Sequence, residues 1–165
     1  MSQHTDAEQR AALRKIVNHG RTAFFVTTDV GGSLHGRPMA NAEVTEAFDA
    51  IYFATQRNSG KVHELKNDAH VFLGYAAGGG LEWASITGTA AVLNDRSKIK
   101  ELWSPFWKTW FDGPDDPNLV LIKVTPHHAE YWDAGSKMVV MAKMAISAVT
   151  GKKLNAGENE KVDLR

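Results

Sequence analysis

The chain has 165 residues, 43% of them apolar, and its 19 basic side chains balance its 19 acidic ones. This length suits one globular domain, and the balanced charge leaves no basic excess for nucleic acid or an anionic membrane. Cysteine is absent, which excludes disulfides, thiolate metal sites and cysteine nucleophiles. No apolar stretch is long enough to span a bilayer and residues 1–10 lack a signal-peptide pattern, so we expect a cytoplasmic protein without a membrane partner.

The first third of the chain predicts a capped helix followed by a β-meander. Thr5 and Glu8 fit a capping box, which predicts that a helix begins here. Residues 22–29 are rich in β-branched and aromatic side chains, and a Gly-Gly-Ser turn then leads into a second strand from Leu34 onward. A third strand over 50–55 follows without an intervening helix, which favours antiparallel pairing.

The remainder of the chain alternates further strands with short helices. Gly88 lies inside a long strand pattern, where a glycine often marks a bulge or bend. Pro126 interrupts the last strand pattern, so we predict two strands there. The elements predicted after the meander are a helix over 61–67, strands over 70–76 and 81–93, helices over 94–102 and from 104, strands over 119–125 and 129–133, and a helix over 137–150.

Strands predominate in this pattern, so we predict a mainly β protein with peripheral helices. An antiparallel split β-barrel leaves few exposed edges for such a set of strands, and we expect one over residues 1–151. The polar segment 152–165 is expected to be a poorly ordered tail.

The last helix carries methionines at positions 138, 141 and 144 on one face, a pattern typical of packing. The histidines show no metal-ligand spacing, so no metal site is expected.

The loop after the third strand combines groups that suit a phosphate monoester. Thr55 and Ser59 offer hydroxyls, Lys61 offers a cation, and Gly60 permits close approach of the backbone. The start of the following helix adds free N–H groups and the positive end of a dipole. The alternative is an ordinary helix start capped by Asn58 or Ser59.

Two further features of the sequence suggest a cleft. Pro38 cannot donate to a strand ladder, so Arg37 beside it could direct its cation into a cleft, the alternative being a solvated surface arginine. A helix from Ser104 would carry an aromatic stripe, which indicates either core packing or an exposed wall for a subunit or a ring. The members of this stripe are Phe106, Trp107, Trp110 and Phe111.

Five motifs in this order resemble the flavin-binding split-barrel proteins related to pyridoxamine phosphate oxidase, and within them the general stress protein 26 group. They are GRPM at 36–39, YFATQRNSGK at 52–61, WASITGTAAV at 83–92, LWSPFWKTWF at 102–111 and KVTPHHAEYWD at 123–133. The resemblance implies an FMN-binding split barrel and a homodimer with one FMN in each of two clefts between the subunits.

By position, the resemblance assigns three groups of residues to the cofactor. The first strand motif would line the flavin ring and ribityl chain, and the loop before the helix would hold the phosphate. Tryptophans from the neighbouring strand and from the aromatic stripe would contact or cover the ring. The residues assigned in this way are Arg37, Pro38, Met39, Thr55, Ser59, Gly60, Lys61, Trp83 and Trp110.

The chain also departs from the oxidase pattern. Ala42 stands where the oxidase has a lysine, and His127 and His128 follow no arginine that would grip a substrate phosphate. Pyridoxamine phosphate is therefore not the expected substrate. One hypothesis is a stress-related FMN-dependent oxidoreductase that takes electrons from a nicotinamide donor. The alternatives are a flavin carrier or sensor without turnover, and a relative that binds a deazaflavin or haem.

Overall fold

The computed structural model describes residues 5–135, 137–153 and 157–165. The helices in this part of the chain are α1 (Asp6–Gly20), α2 (Gly60–Asn67), α3 (Arg96–Leu102) and α4 (Lys137–Thr150), with a 3₁₀ helix over Pro105–Thr109. The strands are β1 (Thr22–Thr28), β2 (Leu34–Ala40), β3 (Glu43–Val44), β4 (Ile51–Gln56), β5 (His70–Ala77), β6 (Glu82–Leu93), β7 (Leu119–Asp133) and β8 (Glu158–Asp163).

The strands form one antiparallel sheet that curls into a half-barrel. Their order is β2-β1-β5-β6-β7-β4-β3, and β8 pairs with the second half of β7. Phe25 on β1 and Phe53 on β4 meet edge to face with ring centroids 5.2 Å apart, although β5, β6 and β7 lie between their strands in the sheet. Only a strongly curled sheet brings these rings together, so the predicted split-barrel architecture is confirmed.

The interior of the curl holds the main core. Alternate strand positions point inward, and α1 packs Leu13, Ile16 and Val17 against them. A second, smaller cluster lies beneath α3 and the 3₁₀ helix and anchors them to β7. Its buried members are Ile99, Phe111, Leu119 and Leu121.

The bend in the sheet occurs where Gly88 of β6 faces Pro126 of β7. The pairing register shifts between Thr87 and Gly88, so the predicted bulge is confirmed. A side chain at position 88 would overlap the carbonyl oxygen of Thr125. The prediction of two strands separated at Pro126 is wrong, because β7 continues from Leu119 to Asp133. A bulge tolerates a proline that cannot donate to the ladder, so the strand need not end there.

The C-terminal segment differs from the sequence prediction in two ways. The expectation of a poorly ordered tail is wrong for residues 158–163, which form β8 and pair with β7. Val162 on this strand and Leu164 just after it are buried in the main core, although the segment as a whole is polar. The prediction that the methionines of α4 pack is also wrong for the chain alone, because they are largely exposed: Met138, Met141 and Met144.

Within the described ranges, no helix combines the length and the hydrophobicity needed to cross a bilayer. Pro38 and Met39 lie on β2, Thr55 lies one residue before the end of β4, and Lys61 lies in the first turn of α2. The fold therefore brings three separate parts of the sequence to one side of the barrel.

Candidate functional site

A cavity of about 370 Å³ opens between β2, β4, the start of α2 and the 3₁₀ helix. This volume lies within the range of small-molecule and cofactor sites. The side chains around it are Pro38, Met39, Ala40, Ala54, Thr55, Gln56, Ser59, Lys61, Phe106, Trp107, Trp110 and Phe111. The cavity thus has one polar corner, formed by the end of β4 and the start of α2, and one aromatic wall.

The polar corner contains two hydroxyls and an ammonium group. Lys61 Nζ donates a hydrogen bond to Thr55 Oγ1 over 3.1 Å, and the Ser59 hydroxyl lies 3.4 Å from the same oxygen. Thr55 is only 5% exposed, so its hydroxyl is available mainly toward the cavity side. In the part of the chain that the structure describes, no carboxylate forms an ion pair with Lys61.

Ser59 occupies the N-cap position of α2 without acting as a side-chain cap. Its side chain makes no capping hydrogen bond, while its carbonyl oxygen accepts from the N–H groups of Val62 and His63. As expected for the first residues of a helix, the N–H groups of Gly60 and Lys61 make no backbone hydrogen bond within the described residues. The hydroxyl and both N–H groups are therefore available to an anion.

The electrostatics of the corner favour an added negative charge. Burial lowers the pKa of Lys61, the nearby cation of Arg37 lowers it further, and Glu64 opposes these effects. A lowered lysine pKa means that the charged ammonium is less stable here than in water. An anion placed against it would restore that stability, so the corner is complementary to a phosphate or a carboxylate.

Arg37 lies behind this corner in a polar network and does not line the cavity. Its guanidinium donates to Thr27 and forms an ion pair with Glu64 over 3.0 Å. The other oxygen of Glu64 accepts a 2.6 Å hydrogen bond from His35. Burial alone would raise the pKa of Glu64, but hydrogen bonds from Thr27, His35 and Arg37 outweigh it and lower this pKa to about 2.

The aromatic wall comes from the 3₁₀ helix and the residues around it. The Ser104 side chain caps this helix by accepting from the N–H of Phe106. Phe106 and Trp110 meet edge to face at 5.2 Å and are 64% and 52% exposed, whereas Phe111 is buried. The four residues of the predicted stripe therefore differ in exposure although all of them line the cavity, and the helix that carries the first two is a 3₁₀ helix that ends at Thr109.

Trp83 lies on a separate apolar surface of the sheet. This surface, here called the sheet face, borders a cavity of about 660 Å³ that also includes Pro38. Trp83 and Trp132 are directly paired across β6 and β7, and the Trp83 indole donates to the Gly80 carbonyl. The four aromatic side chains that define the sheet face come from β1, β5, β6 and β7: Phe24, Phe72, Trp83 and Trp132.

Six of the nine residues predicted from the sequence line the first cavity: Pro38, Met39, Thr55, Ser59, Lys61 and Trp110. Gly60 follows directly at the start of α2, with open space where a side chain would lie. Arg37 and Trp83 lie outside its lining, and their contact with a cofactor stays a prediction. Sequence reasoning missed Glu64, although it lies three residues after Lys61 and thus on the same side of α2.

Residues 8–155 match the family model described as pyridoxamine 5'-phosphate oxidase like. The chain belongs to this family. Among its relatives, general stress protein 26 of Bacillus subtilis is 33% identical over 97 residues, which cover 57% of this chain and 69% of the relative. The predicted resemblance to the general stress protein 26 group is thus confirmed.

Two solved structures of this pyridoxamine 5'-phosphate oxidase-like family illustrate the agreement. A general stress protein 26 from Jannaschia has a TM-score of 0.76 at 22% identity, covering 95% of this chain and 99% of its own. The general stress FMN/FAD binding protein of Xanthomonas citri has a TM-score of 0.65 at 26% identity, covering 80% of this chain and 90% of its own. Because its sequence identity is only 22%, the likeness to the Jannaschia protein concerns the fold alone.

Proposed function

We propose that this protein binds FMN in the first cavity, as a homodimer, and uses it in a stress-related oxidoreductase reaction on a small molecule. The observation that carries the proposal is the corner formed by Thr55, Ser59 and Lys61 at the end of an aromatic-walled cavity. The Xanthomonas citri relative, described as an FMN/FAD binding general stress protein, supports a flavin as the ligand.

The phosphate of FMN suits the polar corner in charge and in hydrogen-bonding capacity. A phosphate monoester presents several acceptor oxygens, and the corner offers two hydroxyls, an ammonium group and two free N–H groups. The depressed pKa of Lys61 indicates a cation that gains from a new anionic neighbour. A neutral ligand would leave this positive charge uncompensated.

The flavin ring suits the opposite end of the cavity. Trp107 and Trp110 present aromatic surface there, and Pro38 and Met39 add apolar contacts from β2. Planar ring systems stack favourably on such side chains and are shielded from water by them. Pro38 lines this cavity and borders the sheet face as well. A second copy of the chain on the sheet face would therefore lie next to the cavity, as the family resemblance implies.

A bound flavin supplies hydride and electron transfer, while the protein supplies binding and orientation. In this chain, Lys61 and its two hydroxyl neighbours would hold the phosphate end, and the aromatic wall would exclude water from the ring. Arg37 lies behind the cavity lining, where Glu64 balances its charge. Its position lets it influence the electrostatic potential of the site without a direct contact.

A second candidate function is a flavin carrier or sensor without turnover. The observation in its favour is that, among the described residues, the cavity lining contains no carboxylate and no histidine that could transfer a proton. Ala42, at the position of the oxidase lysine, adds no such group either. The two candidates share the binding site and differ only in the rate at which the flavin exchanges electrons.

The test is performed on the full-length protein purified with or reconstituted with FMN. Its absorption spectrum should show flavin bands, whereas a Soret band or the bands of a deazaflavin would contradict the choice of ligand. Under anaerobic conditions, NADH or NADPH should then bleach the bound flavin in a stopped-flow experiment. If neither nicotinamide donor reduces the bound flavin, the oxidoreductase proposal is rejected and the carrier or sensor function remains.

A further inference from the structure

Helix α4 carries few polar side chains and lies largely uncovered on the chain. Of its described side chains only Val140 is buried, and Lys143 is the one charged group among them. A helix this rich in apolar side chains is normally buried in a protein. Its exposed apolar residues are Met138, Val139, Met141, Met144, Ile146 and Val149.

The strands that precede and follow this helix pair with each other in the sheet. Strands β7 and β8 are antiparallel neighbours, with Asp133 paired to residue 158. Gly157 has a φ of 145°, and a side chain there would lie 2.9 Å from the carbonyl oxygen of Asp133. Because α4 begins four residues after Asp133, the last residue of β7, it starts close to this end of the sheet.

The sheet face ends at the same position. Trp132 immediately precedes Asp133, and its cross-strand partner is Trp83. The two surfaces are therefore neighbours on one molecule, and within the described residues neither is covered by the rest of the chain. Phe24, Phe72, Trp83 and Trp132 are 57%, 41%, 50% and 38% exposed.

The exposed area fits a subunit interface. Aromatic side chains of this size bury 150–250 Å² each, so the exposed parts of the sheet face amount to roughly 400 Å² on each copy. An interface of standard size needs about 800 Å² from each partner. The sheet face supplies about half of that area, and the six exposed apolar side chains of α4 can supply the rest.

We infer that α4 of one copy packs against the sheet face of a second copy, with the same contact repeated in the other direction. Such a two-fold exchange covers both apolar surfaces of both chains at once. This inference rests on the dimer of the proposed function and specifies how its subunits contact each other. Because Pro38 borders both cavities, the exchanged helix would also lie beside the cofactor cavity.

The absence of native cysteine permits a direct test by disulfide cross-linking. Met141→Cys and Trp132→Cys, each as a single substitution in a differently tagged full-length chain, are co-expressed and oxidised. The expected product is a disulfide that joins the two different variants. Disulfides that join only identical variants, or no disulfide at all, would overturn the inference.

A second experiment uses charge instead of a cross-link. Met141→Glu combined with Met144→Glu should raise the dimer dissociation constant on the order of 100-fold in sedimentation experiments, with an unchanged far-UV spectrum. The matched control is Val30→Glu, which changes another exposed apolar residue in the turn between β1 and β2. An unchanged dimer in the α4 variant, or equal dissociation of the control, would overturn the inference.

Flavin binding separates this inference from the proposed function. If the two cysteine variants form the mixed disulfide but the native chain binds no FMN, the proposed cofactor is rejected and the exchanged helix is kept. If the native chain binds FMN but the two cysteine variants form no mixed disulfide, the exchanged helix is rejected and the cofactor is kept.

Discussion

Lys61 donates its hydrogen bond to the buried hydroxyl of Thr55, over 3.1 Å, and has no carboxylate partner among the described residues. The bond joins the first turn of α2 to the C-terminal end of β4. It places a partly desolvated cation at the end of a cavity, where an anionic group of a ligand can reach it. The predictions below concern this cavity, the network behind it and the bend in the sheet.

Lys61→Ala is expected to weaken FMN binding by about 1.5–3 kcal/mol, roughly 10- to 150-fold, because it removes a charge-assisted contact to the phosphate. The measurement is a fluorescence titration of FMN with the purified protein. Lys66→Ala is the matched control, since Lys66 is an exposed lysine on the same helix. The native protein should also prefer FMN to riboflavin, and this preference should shrink in the Lys61 variant. If both variants bind FMN with equal affinity, the phosphate does not bind at Lys61.

Trp110→Ala is expected to weaken FMN binding by about 1 kcal/mol, roughly fivefold, through loss of an aromatic contact with the ring. Since half of this side chain is exposed, the melting temperature of the flavin-free protein should change little. The comparison is Leu34→Ala, an exposed apolar residue on β2 that lies outside the cavity. If the two variants bind FMN equally well, the aromatic wall does not contact the ring.

Glu64→Gln is expected to remove a pH-dependent part of the stability. The carboxyl has a pKa near 4.5 when unfolded and about 2 when folded, so its contribution is fully present above about pH 5. That contribution is lost as the pH falls toward 2, because the protonated carboxyl no longer pairs with Arg37 and His35.

Urea midpoints of the native and Glu64→Gln proteins measure this difference between pH 7 and pH 2.5. The native protein should be the more stable at pH 7, and the gap should close on acidification. Glu46→Gln, at an exposed glutamate, serves as the control substitution. A gap that stays constant with pH would show that the folded-state pKa of Glu64 is not lowered.

Gly88→Ala is expected to destabilise the fold by about 3 kcal/mol, because the new methyl group would overlap backbone atoms of Thr125 and lie 3.1 Å from Pro126 Cα. Backbone at a bulge cannot move aside as a flexible side chain can. Thermal unfolding of the two proteins measures the change, with Gly113→Ala as the control, since no atom lies within 4 Å of that position. A melting temperature equal to that of the control would mean that the sheet tolerates a side chain at its bend.

Much of the fold could be predicted from local signals. The capping box at Thr5 and Glu8 and the Gly-Gly-Ser turn are each decided by neighbouring residues, and both are confirmed. The bulge at Gly88 is also confirmed, because a glycine inside a strand pattern marks it even though its partner strand is distant in sequence. The prediction for residues 158–163 failed because their burial comes from β7, a pairing partner at a distance in sequence. Polar composition indicates disorder only when no such partner is available.

The candidate site likewise contains one part that local sequence predicts and another that depends on distant contacts. The sequence by itself determined the polar corner, because Thr55, Ser59 and Lys61 lie within seven residues and the geometry of a strand–loop–helix start brings them together. Only the tertiary structure decided that Glu64 holds Arg37 and His35, since this contact joins β2 to α2. Likewise, only the curl of the sheet could place Pro38 between the cofactor cavity and the sheet face. Local hydrogen bonding specifies short segments, whereas contacts between distant strands depend on the curvature of the whole sheet.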